Sequence, residues 1–399
     1  MRELFISGGC VIFLVFYLLW ERFLLTRRAQ SIPLKICVTG TRGKSSVTRL
    51  IAASLREAGF TVLARTTGSK PVVIYPDAAE KEVNRRGSPS ILEGKKILKI
   101  GEQLQVKALV WEMMSIHPEC GYTESIRMLN PHILVITNVR LDHLAQMGSS
   151  IKEMADCFAS YIPQGSTVFV PGEEFYQAFQ TRAEKMNARL IQVAEDYDEG
   201  YLDSAKKIPR FEFTENIRLT LAVTDFLGID RKDALQGMAR AQPDFGSLKV
   251  WTADFGTPPH RWYLVNGFAA NDPVSTRKVL ARLREKKLLE RKRIVGLLNL
   301  RRDRGDRTIQ WLNALKEGEF PEVHKFLLIG AHAHALRRKL RLLPDTSLSV
   351  LKPQTPEKIM EHISAAERGE TVLVGMGNIG GIGRNLVNYW EHMGTPYDF

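Results

Sequence analysis

Short apolar runs alternate with longer amphipathic stretches along most of the chain. Leu34–Val38 predicts a first strand, and Lys44–Ala58, with Leu50, Ile51 and Leu55 on one face, predicts the helix that follows it. Further strands are predicted at Ala108–Trp111, Ile133–Thr137 and Thr167–Val170. Strands that alternate with helices in this way are typical of βαβ units around a parallel sheet.

The pattern breaks at residues 241–246, AQPDFG, and a second α/β series then begins. A helix is predicted before the break, at Asn216–Leu227, and another after it, at Val274–Lys287. The strands of the second series are predicted at Trp262–Val265, Ile294–Leu298, Phe326–Ile329 and Thr371–Val374. The sequence therefore predicts an α/β protein with an N-terminal segment, 1–28, and two domains, 29–245 and 246–399.

The N-terminal segment has the character of a membrane anchor. Leu4–Trp20 is a run of 17 residues without a charged side chain. Its length is near the short limit for a bilayer-spanning helix. Arg27 and Arg28 follow it, so the bias of basic residues places the rest of the chain in the cytoplasm. A cleaved signal peptide would end in small residues, whereas LWER stands at 19–22. We expect an uncleaved transmembrane helix at the cell membrane.

Charge and cysteine usage narrow the range of partners. The chain has 56 Lys and Arg against 44 Asp and Glu, a formal net charge of +12, which favours an acidic polymer or a membrane surface as a partner. No zinc-finger spacing or basic stretch with interleaved aromatics occurs, so nucleic acid is not predicted as a partner. The four cysteines form no CxxC pair, so neither a disulfide framework nor structural zinc is predicted.

A glycine-containing loop joins the first predicted strand to the first predicted helix. It consists of Gly40, Thr41, Arg42, Gly43, Lys44, Ser45 and Ser46. Glycines allow backbone N–H groups to turn inward, and a helix N-terminus adds a positive dipole end, so this context predicts a phosphate-binding P-loop. Lys44 can reach the β- and γ-phosphates, and the Ser45 hydroxyl can bind Mg²⁺. The usual first glycine of such loops is replaced by Val38, so the loop is a variant.

Polar residues at two further strand ends suggest a metal site beside this loop. Glu112 ends one predicted strand, and Asp142 and His143 follow another, Ile133–Thr137. Ligands bind at the carboxyl ends of strands in open α/β sheets. We therefore predict that Glu112 and His143 complete a Mg²⁺ shell begun by Ser45 and phosphate oxygens.

In these motifs the chain resembles the Mur ligase superfamily. The shared features are the Gly-Thr-Arg-Gly-Lys-Ser loop, Glu112, the segment from Thr137-Asn138 to Asp142-His143-Leu144, Thr66-Thr67-Gly68, Asn216 and Gly305-Asp306-Arg307. Within that superfamily the chain looks most like the ligase subunit of poly-γ-glutamate synthases, the CapB/PgsB type. The distinctive matches are GTRGKSSVTRL at 40–50, VNGFAANDP at 265–273, NLRRDRGDRT at 299–308 and GMGNIGG at 375–381.

The resemblance implies a parallel-sheet P-loop ATPase domain, like the central domain of Mur ligases, followed by a smaller Rossmann-like domain. It implies an ATP- and Mg²⁺-dependent amide ligase of capsule synthesis that forms an acyl phosphate and ADP and adds glutamate to a growing poly-γ-glutamate chain. By the same resemblance Lys44 and Ser45 hold phosphates and metal, Glu112 and His143 complete the metal shell, Asn216 faces adenine and Arg307 helps to close over ATP. Further membrane subunits and a homo-oligomer are possible partners.

The sequence departs from the Mur ligase pattern at one point, and alternative functions stay open. Some Mur ligases use a carbamoylated lysine after the His143-like position, but residues 156–158 contain none, so no carbamate is predicted. The alternatives are a folylpolyglutamate or peptidoglycan-type ligase, or a membrane-tethered P-loop NTPase that drives transport or assembly. The candidate contacts for a polyglutamate chain are Arg85, Arg86, Arg301 and Arg302, because guanidinium groups match carboxylates.

Overall fold

The structure, a computed structural model, describes residues 2–85, 87, 89–114, 117–174, 176–197, 212–340, 347–352 and 355–397. Its chain divides into two compact units. The described residues up to Pro243, apart from Glu212, form the first unit, and those from Asp244 onward belong to the second.

The first unit is built on an eight-stranded sheet in the order β4-β3-β2-β5-β1-β6-β7-β8. Its strands are β1 Leu34–Thr39, β2 Val62–Thr66, β3 Val72–Ile74, β4 Glu80–Glu82, β5 Ala108–Glu112, β6 Ile133–Ile136, β7 Thr167–Pro171 and β8 Arg189–Val193. All neighbouring pairs are parallel except β2 with β3 and β3 with β4. The predicted strands are confirmed, but the expectation of a wholly parallel sheet is wrong at this edge.

The helices of this unit contact the sheet and one another through apolar side chains that fill two core clusters. They are α1 Arg2–Gln30, α2 Lys44–Glu57, α3 Glu93–Gln103, α4 Pro118–Tyr122, a π-helix at Thr123–Leu129, α5 Leu144–Met147, α6 Ile151–Ala159, α7 Tyr176–Lys185, α8 Thr214–Phe226 and α9 Arg231–Arg240. The α2 helix buries Leu50, Ile51 and Leu55 in a core shared with β1 and α8. Gly237 lets α9 approach closely, since a Cβ there would lie 2.5 Å from the Ala53 carbonyl oxygen.

The second unit has a seven-stranded sheet in the order β13-β12-β11-β14-β10-β9-β15. Its strands are β9 Val250–Phe255, β10 His260–Val265, β11 Arg293–Leu300, β12 Lys325–Gly330, β13 Ser347–Val350, β14 Thr371–Gly377 and β15 Thr395–Pro396. Its helices are α10 Pro273–Glu285, α11 Gly305–Lys316, α12 Ala333–Leu340, α13 Pro356–Ala366 and α14 Ile382–Met393. The strands from β10 to β14 are parallel, whereas β9 and β15 pair antiparallel, so this sheet is mixed as well.

Helix α1 begins the chain and leads into the first unit. Within the described residues, Phe5–Gln30 is the one helical stretch long and apolar enough to cross a membrane. Its side chains from Phe5 to Trp20 are exposed, whereas Ala29 is buried in the core of the unit.

Candidate functional site

The loop between β1 and α2 requires glycine at two positions. Gly40 and Gly43 have φ angles of 118° and 80°, in the region that favours glycine. A Cβ on Gly40 would lie 2.3 Å from Thr137 Oγ1, and one on Gly43 would lie 2.5 Å from Asn216 Oδ1. The backbone of the loop therefore passes too close to its neighbours for any larger residue.

The segment after β6 holds this loop in place. Thr41 N donates to the Asn138 carbonyl at 3.0 Å, and Arg42 N donates to Asn138 Oδ1 at 2.9 Å. Asn138 Nδ2 in turn donates to the Arg42 carbonyl at 3.0 Å, and Arg140 N donates to Thr41 Oγ1 at 3.0 Å. The loop conformation is thus fixed by side chains and backbone of the neighbouring strand end.

Lys44 and Ser45 open helix α2 beside the loop, and Ser46 follows them in its first turn. The Lys44 ammonium donates to the carbonyl oxygens of Gly40 at 2.8 Å and Thr41 at 3.3 Å. Ser45 Oγ donates to Glu112 Oε2 at 2.8 Å. The structure therefore brings a lysine, a hydroxyl and a carboxylate to one end of the sheet.

Glu112 is the buried carboxylate of this group. It ends β5 with a relative exposure of 2%, and its Oε2 also accepts a hydrogen bond from Thr67 N at 2.7 Å. Thr67 follows β2, so the carboxylate joins the ends of two strands and the first turn of α2.

His143 lies at the end of the segment that follows β6, with φ 50°, and is the N-cap residue immediately before α5. Asp142 connects it to the loop, because His143 N donates to Asp142 Oδ1 at 2.8 Å and Arg42 Nη1 to Asp142 Oδ2 at 2.9 Å. In the described parts of the chain no group of three or more His, Cys, Asp and Glu side chains could hold a metal ion by itself. The metal shell of Ser45, Glu112 and His143 stays a prediction.

Asn216, in the first turn of α8, is buried against Gly43 of the loop. The structure thus places it beside the predicted phosphate site. Its predicted contact with adenine stays a prediction.

A buried charge network that the sequence did not predict supports the same strand ends. Glu124 Oε1 accepts from Arg65 Nη1 at 3.0 Å and from Trp111 Nε1 at 2.8 Å, and its Oε2 accepts from Met114 N at 3.1 Å. Arg65 and Glu124 are both fully buried. Arg65 is the second-last residue of β2, two positions before Thr67, and Trp111 precedes Glu112. The one sequence signal was a charged residue, Arg65, within an otherwise apolar run.

A second missed residue, Glu174, holds the segment after β6. Its Oε2 accepts from Val139 N at 3.0 Å, and its Oε1 accepts from Arg140 Nη1 at 2.7 Å. Burial raises the pKa of Glu174, and the charge of Arg140 opposes this effect. No local pattern marks this glutamate, since its partners lie more than thirty positions away.

In the second unit Arg307 is buried, with a relative exposure of 3%, and its Nη1 donates to Asn378 Oδ1 at 3.4 Å. Asn299 Nδ2 donates to the carbonyls of Asn378 at 2.5 Å and Gly380 at 3.0 Å. These residues join the carboxyl ends of β11 and β14. The predicted role of Arg307 in closing over ATP stays a prediction.

Two arginines proposed as polymer contacts already pair with carboxylates of the protein. Arg85 binds Glu93 through two hydrogen bonds of 2.8 and 3.1 Å, and Arg301 binds Asp303 at 2.9 and 2.6 Å. Arg302 is exposed, and Arg86 lies outside the described residues.

Comparison with known proteins identifies the family. The model of the poly-gamma-glutamate synthase CapB C-terminal domain matches residues 253–393, and that of the Mur ligase middle domain matches residues 38–230. The PGA synthase CapB of Bacillus subtilis is 30% identical over 385 residues, which cover 95% of each chain. The chain belongs to the CapB family. The capsule biosynthesis protein CapB of Bacillus anthracis is 35% identical over 316 residues, 78% of this chain and 66% of that protein.

Solved structures show that this CapB-family chain has the α/β fold of the Mur ligases. The bifunctional folylpolyglutamate synthase/dihydrofolate synthase of Yersinia pestis, complexed with AMPPNP and Mn, has a TM-score of 0.68 at 15% identity. That similarity covers 93% of this chain and 92% of the other. MurF from Acinetobacter baumannii has a TM-score of 0.64 at 16% identity and covers 92% and 79% of the two chains. At these identities the likeness shows the fold alone.

Proposed function

We propose that this chain adds glutamate to a growing poly-γ-glutamate chain and that each addition converts ATP to ADP and phosphate. The observation that carries the proposal is the Ser45–Glu112 hydrogen bond beside a loop that requires glycine. It occurs in a member of the CapB family, and a relative in Bacillus subtilis is named a PGA synthase. A net charge of +12 suits a polyanionic product.

The residues present fit a nucleotide and a divalent metal. The close approach of the loop at Gly40 and Gly43 is suited to backbone N–H groups that bind phosphate, and the amino end of α2 adds its dipole. A hydroxyl and a buried carboxylate are oxygen ligands of the kind that Mg²⁺ prefers. Ser45, Glu112 and His143 would hold Mg²⁺, whose charge would offset that of the phosphates. Solved folylpolyglutamate synthases of this fold are complexed with ADP, or with AMPPNP and Mn.

The proposed reaction has two displacements. First, a carboxylate oxygen at the end of the polymer attacks the γ-phosphorus, the bond to the β,γ-bridging oxygen breaks, and ADP leaves. Second, the amine of glutamate attacks the acyl carbon and loses a proton, and phosphate leaves as the amide forms. Lys44 and the loop N–H groups bind the phosphate oxygens and stabilise the charge that develops on them.

Membrane attachment is part of the proposal. We propose that α1 anchors the chain in the cell membrane with both units in the cytoplasm, where ATP is present. Its length and apolar composition support this assignment. Such an anchor places synthesis beside the membrane that an exported polymer crosses, and we propose further membrane subunits as partners in elongation and export.

The test uses membranes that contain the full-length chain, with ATP, Mg²⁺ and each labelled amino acid in turn. We expect ADP release that depends on glutamate, together with label in acid-insoluble polymer. ADP release that no amino acid stimulates would indicate an NTPase without ligase activity. AMP as the product would contradict the acyl-phosphate mechanism, and incorporation of another amino acid would keep the ligase and discard glutamate.

A further inference from the structure

The last third of α1 packs against the first unit instead of extending away from it. Leu25 contacts the core of the unit, and Ala29 is buried within it. Three ion pairs join α1 to α3. Lys95 Nζ lies 2.5 Å from Glu21 Oε1, and Glu102 pairs with both Arg28 (Nε to Oε2, 3.3 Å) and Arg27 (Nη2 to Oε1, 3.6 Å). The orientation of α1 relative to this unit is therefore set by packing and charge.

The Glu21–Lys95 and Arg28–Glu102 pairs also give the relative direction of the helices. Both join residues 74 positions apart, so α1 and α3 run parallel and in register over two turns. With the same offset, Leu92 and Lys96 lie at the level of Leu18 and Arg22. The amino end of α3 thus stands beside the end of the apolar part of α1.

The amino end of α3 lies beside the carboxyl ends of the parallel strands of the sheet. Glu93, its first residue, lies 3.6 Å from Arg65 at the carboxyl end of β2. Arg65 is paired in register with Trp111, the residue before Glu112. The glycine loop lies at the same strand ends, because β1, β2 and β5 are parallel. The apolar part of α1 and the loop therefore lie toward the same side of the unit.

The surface at this level combines apolar and basic side chains. Leu92 and Phe23 are 58% and 56% exposed, and Arg22, Lys96 and Lys99 are exposed as well. The acidic residues nearby are neutralised, Glu21 by Lys95 and Glu93 by Arg85. Basic side chains around an apolar span fit the anionic headgroups of a lipid bilayer.

We propose that the carboxyl ends of the strands, where the glycine loop lies, face the membrane and that the amino end of α3 contacts anionic lipid headgroups. This inference rests on the proposed membrane anchor. It places the ATP site on the membrane side of the first unit, so the polymer end is activated close to the bilayer.

The test measures depth with a fluorescent label at two positions of α3 in the full-length chain. Cys10 and Cys120 are the exposed cysteines and are first replaced by serine. The label is placed on Lys96→Cys or on the matched control Gln103→Cys, which lies two turns, about 10 Å, further along the same face. Both positions are exposed, so neither change disturbs the core. The vesicles contain phosphatidylcholine and phosphatidylglycerol, with a nitroxide on the headgroup as quencher.

We expect quenching at least about twofold stronger for Lys96→Cys, since about 10 Å separates the two labels. Equal quenching, or stronger quenching of Gln103→Cys, in protein that floats with the vesicles would overturn the orientation and leave the anchor intact. Absence of quenching at both positions in floated protein would overturn the headgroup contact and favour a protein partner on this surface. Failure to float would remove the anchor and this inference together, whereas the glutamate-dependent assay of ADP release is independent of it.

Discussion

In both units polar side chains gather at the carboxyl ends of parallel strands, but the two sets of side chains differ. In the first, the carboxyl ends of β1, β5 and β6 present a lysine, a hydroxyl and a carboxylate around a glycine loop. In the second, the ends of β11 and β14 are joined by Asn299, Asn378 and Arg307, whose polar groups bind one another and lie buried. Architecture alone therefore does not assign chemistry, because the carboxyl ends of the strands in two similar sheets carry different sets of side chains.

The largest effect is expected from Lys44→Ala. Loss of the ammonium removes a contact to phosphate, and we expect glutamate-dependent ADP release to fall at least about 100-fold, comparable to the loss of one transition-state donor. The thermal unfolding midpoint should change little, because Lys44 is half-buried outside the apolar core and donates to the loop carbonyls of Gly40 and Thr41. Lys81→Ala, at an exposed position in β4, serves as the control. Near-normal turnover of Lys44→Ala would place the phosphate site elsewhere.

Glu112→Gln and His143→Ala test the proposed Mg²⁺ site in the first unit. We expect the Mg²⁺ concentration for half-maximal activity to rise about 10- to 100-fold in each, since loss of a ligand weakens metal sites to this extent. The measurement is a Mg²⁺ titration of ADP release at saturating ATP. Glu119→Gln, an exposed carboxylate on α4, should leave the titration unchanged. If both site variants also leave it unchanged, neither residue belongs to the metal shell.

Glu124→Gln tests whether the first unit depends on buried charge. The change leaves the fully buried Arg65 without its closest carboxylate, and breaking such a pair costs about 3–5 kcal/mol. We expect the free energy of unfolding in urea to fall by that order, with no comparable change for Glu119→Gln. Retained stability would show that Glu93, 3.6 Å from Arg65, is a sufficient partner.

The smallest effect is expected from Asn378→Ala in the second unit. It removes the hydrogen bond from Arg307 and the one to the Asn299 carbonyl, and we expect a loss of about 1–3 kcal/mol in unfolding free energy. The KM for ATP of the folded protein should stay close to that of the unchanged protein. A clear rise in this KM would mean that the Arg307–Asn378 contact also supports nucleotide binding.

The features predicted correctly from the sequence are local ones. The loop, its flanking strand and helix, and the strand that Glu112 ends are contiguous in the chain, so a short pattern carries them. The antiparallel edge of the first sheet was missed because β4 is the charged triplet Glu80–Glu82, without an apolar signal. The strand β15 was missed because it has only two residues, Thr395–Pro396.

Long-range partners were missed for a related reason. Arg65 and Glu124 are 59 positions apart, and only their meeting in the fold explains a charge within an apolar strand. The Mur ligase resemblance is confirmed by the family models and by the relatives. The roles of individual site residues depend on ligand geometry, which a sequence pattern does not contain.

Helix α1 is continuous from Arg2 to Gln30, so the rotation of its apolar part about the helix axis is fixed relative to the first unit. A continuous helix turns about 100° for each residue. Every side chain before Trp20 therefore points in a defined direction around the helix axis relative to the β1–α2 loop. One residue inserted after Trp20 would turn all the earlier side chains by about 100° around the helix axis, whereas seven would return them to within about 20°. If α1 spans the membrane as proposed, a partner that binds one face of it would therefore also set the direction in which the loop points, parallel to the membrane plane.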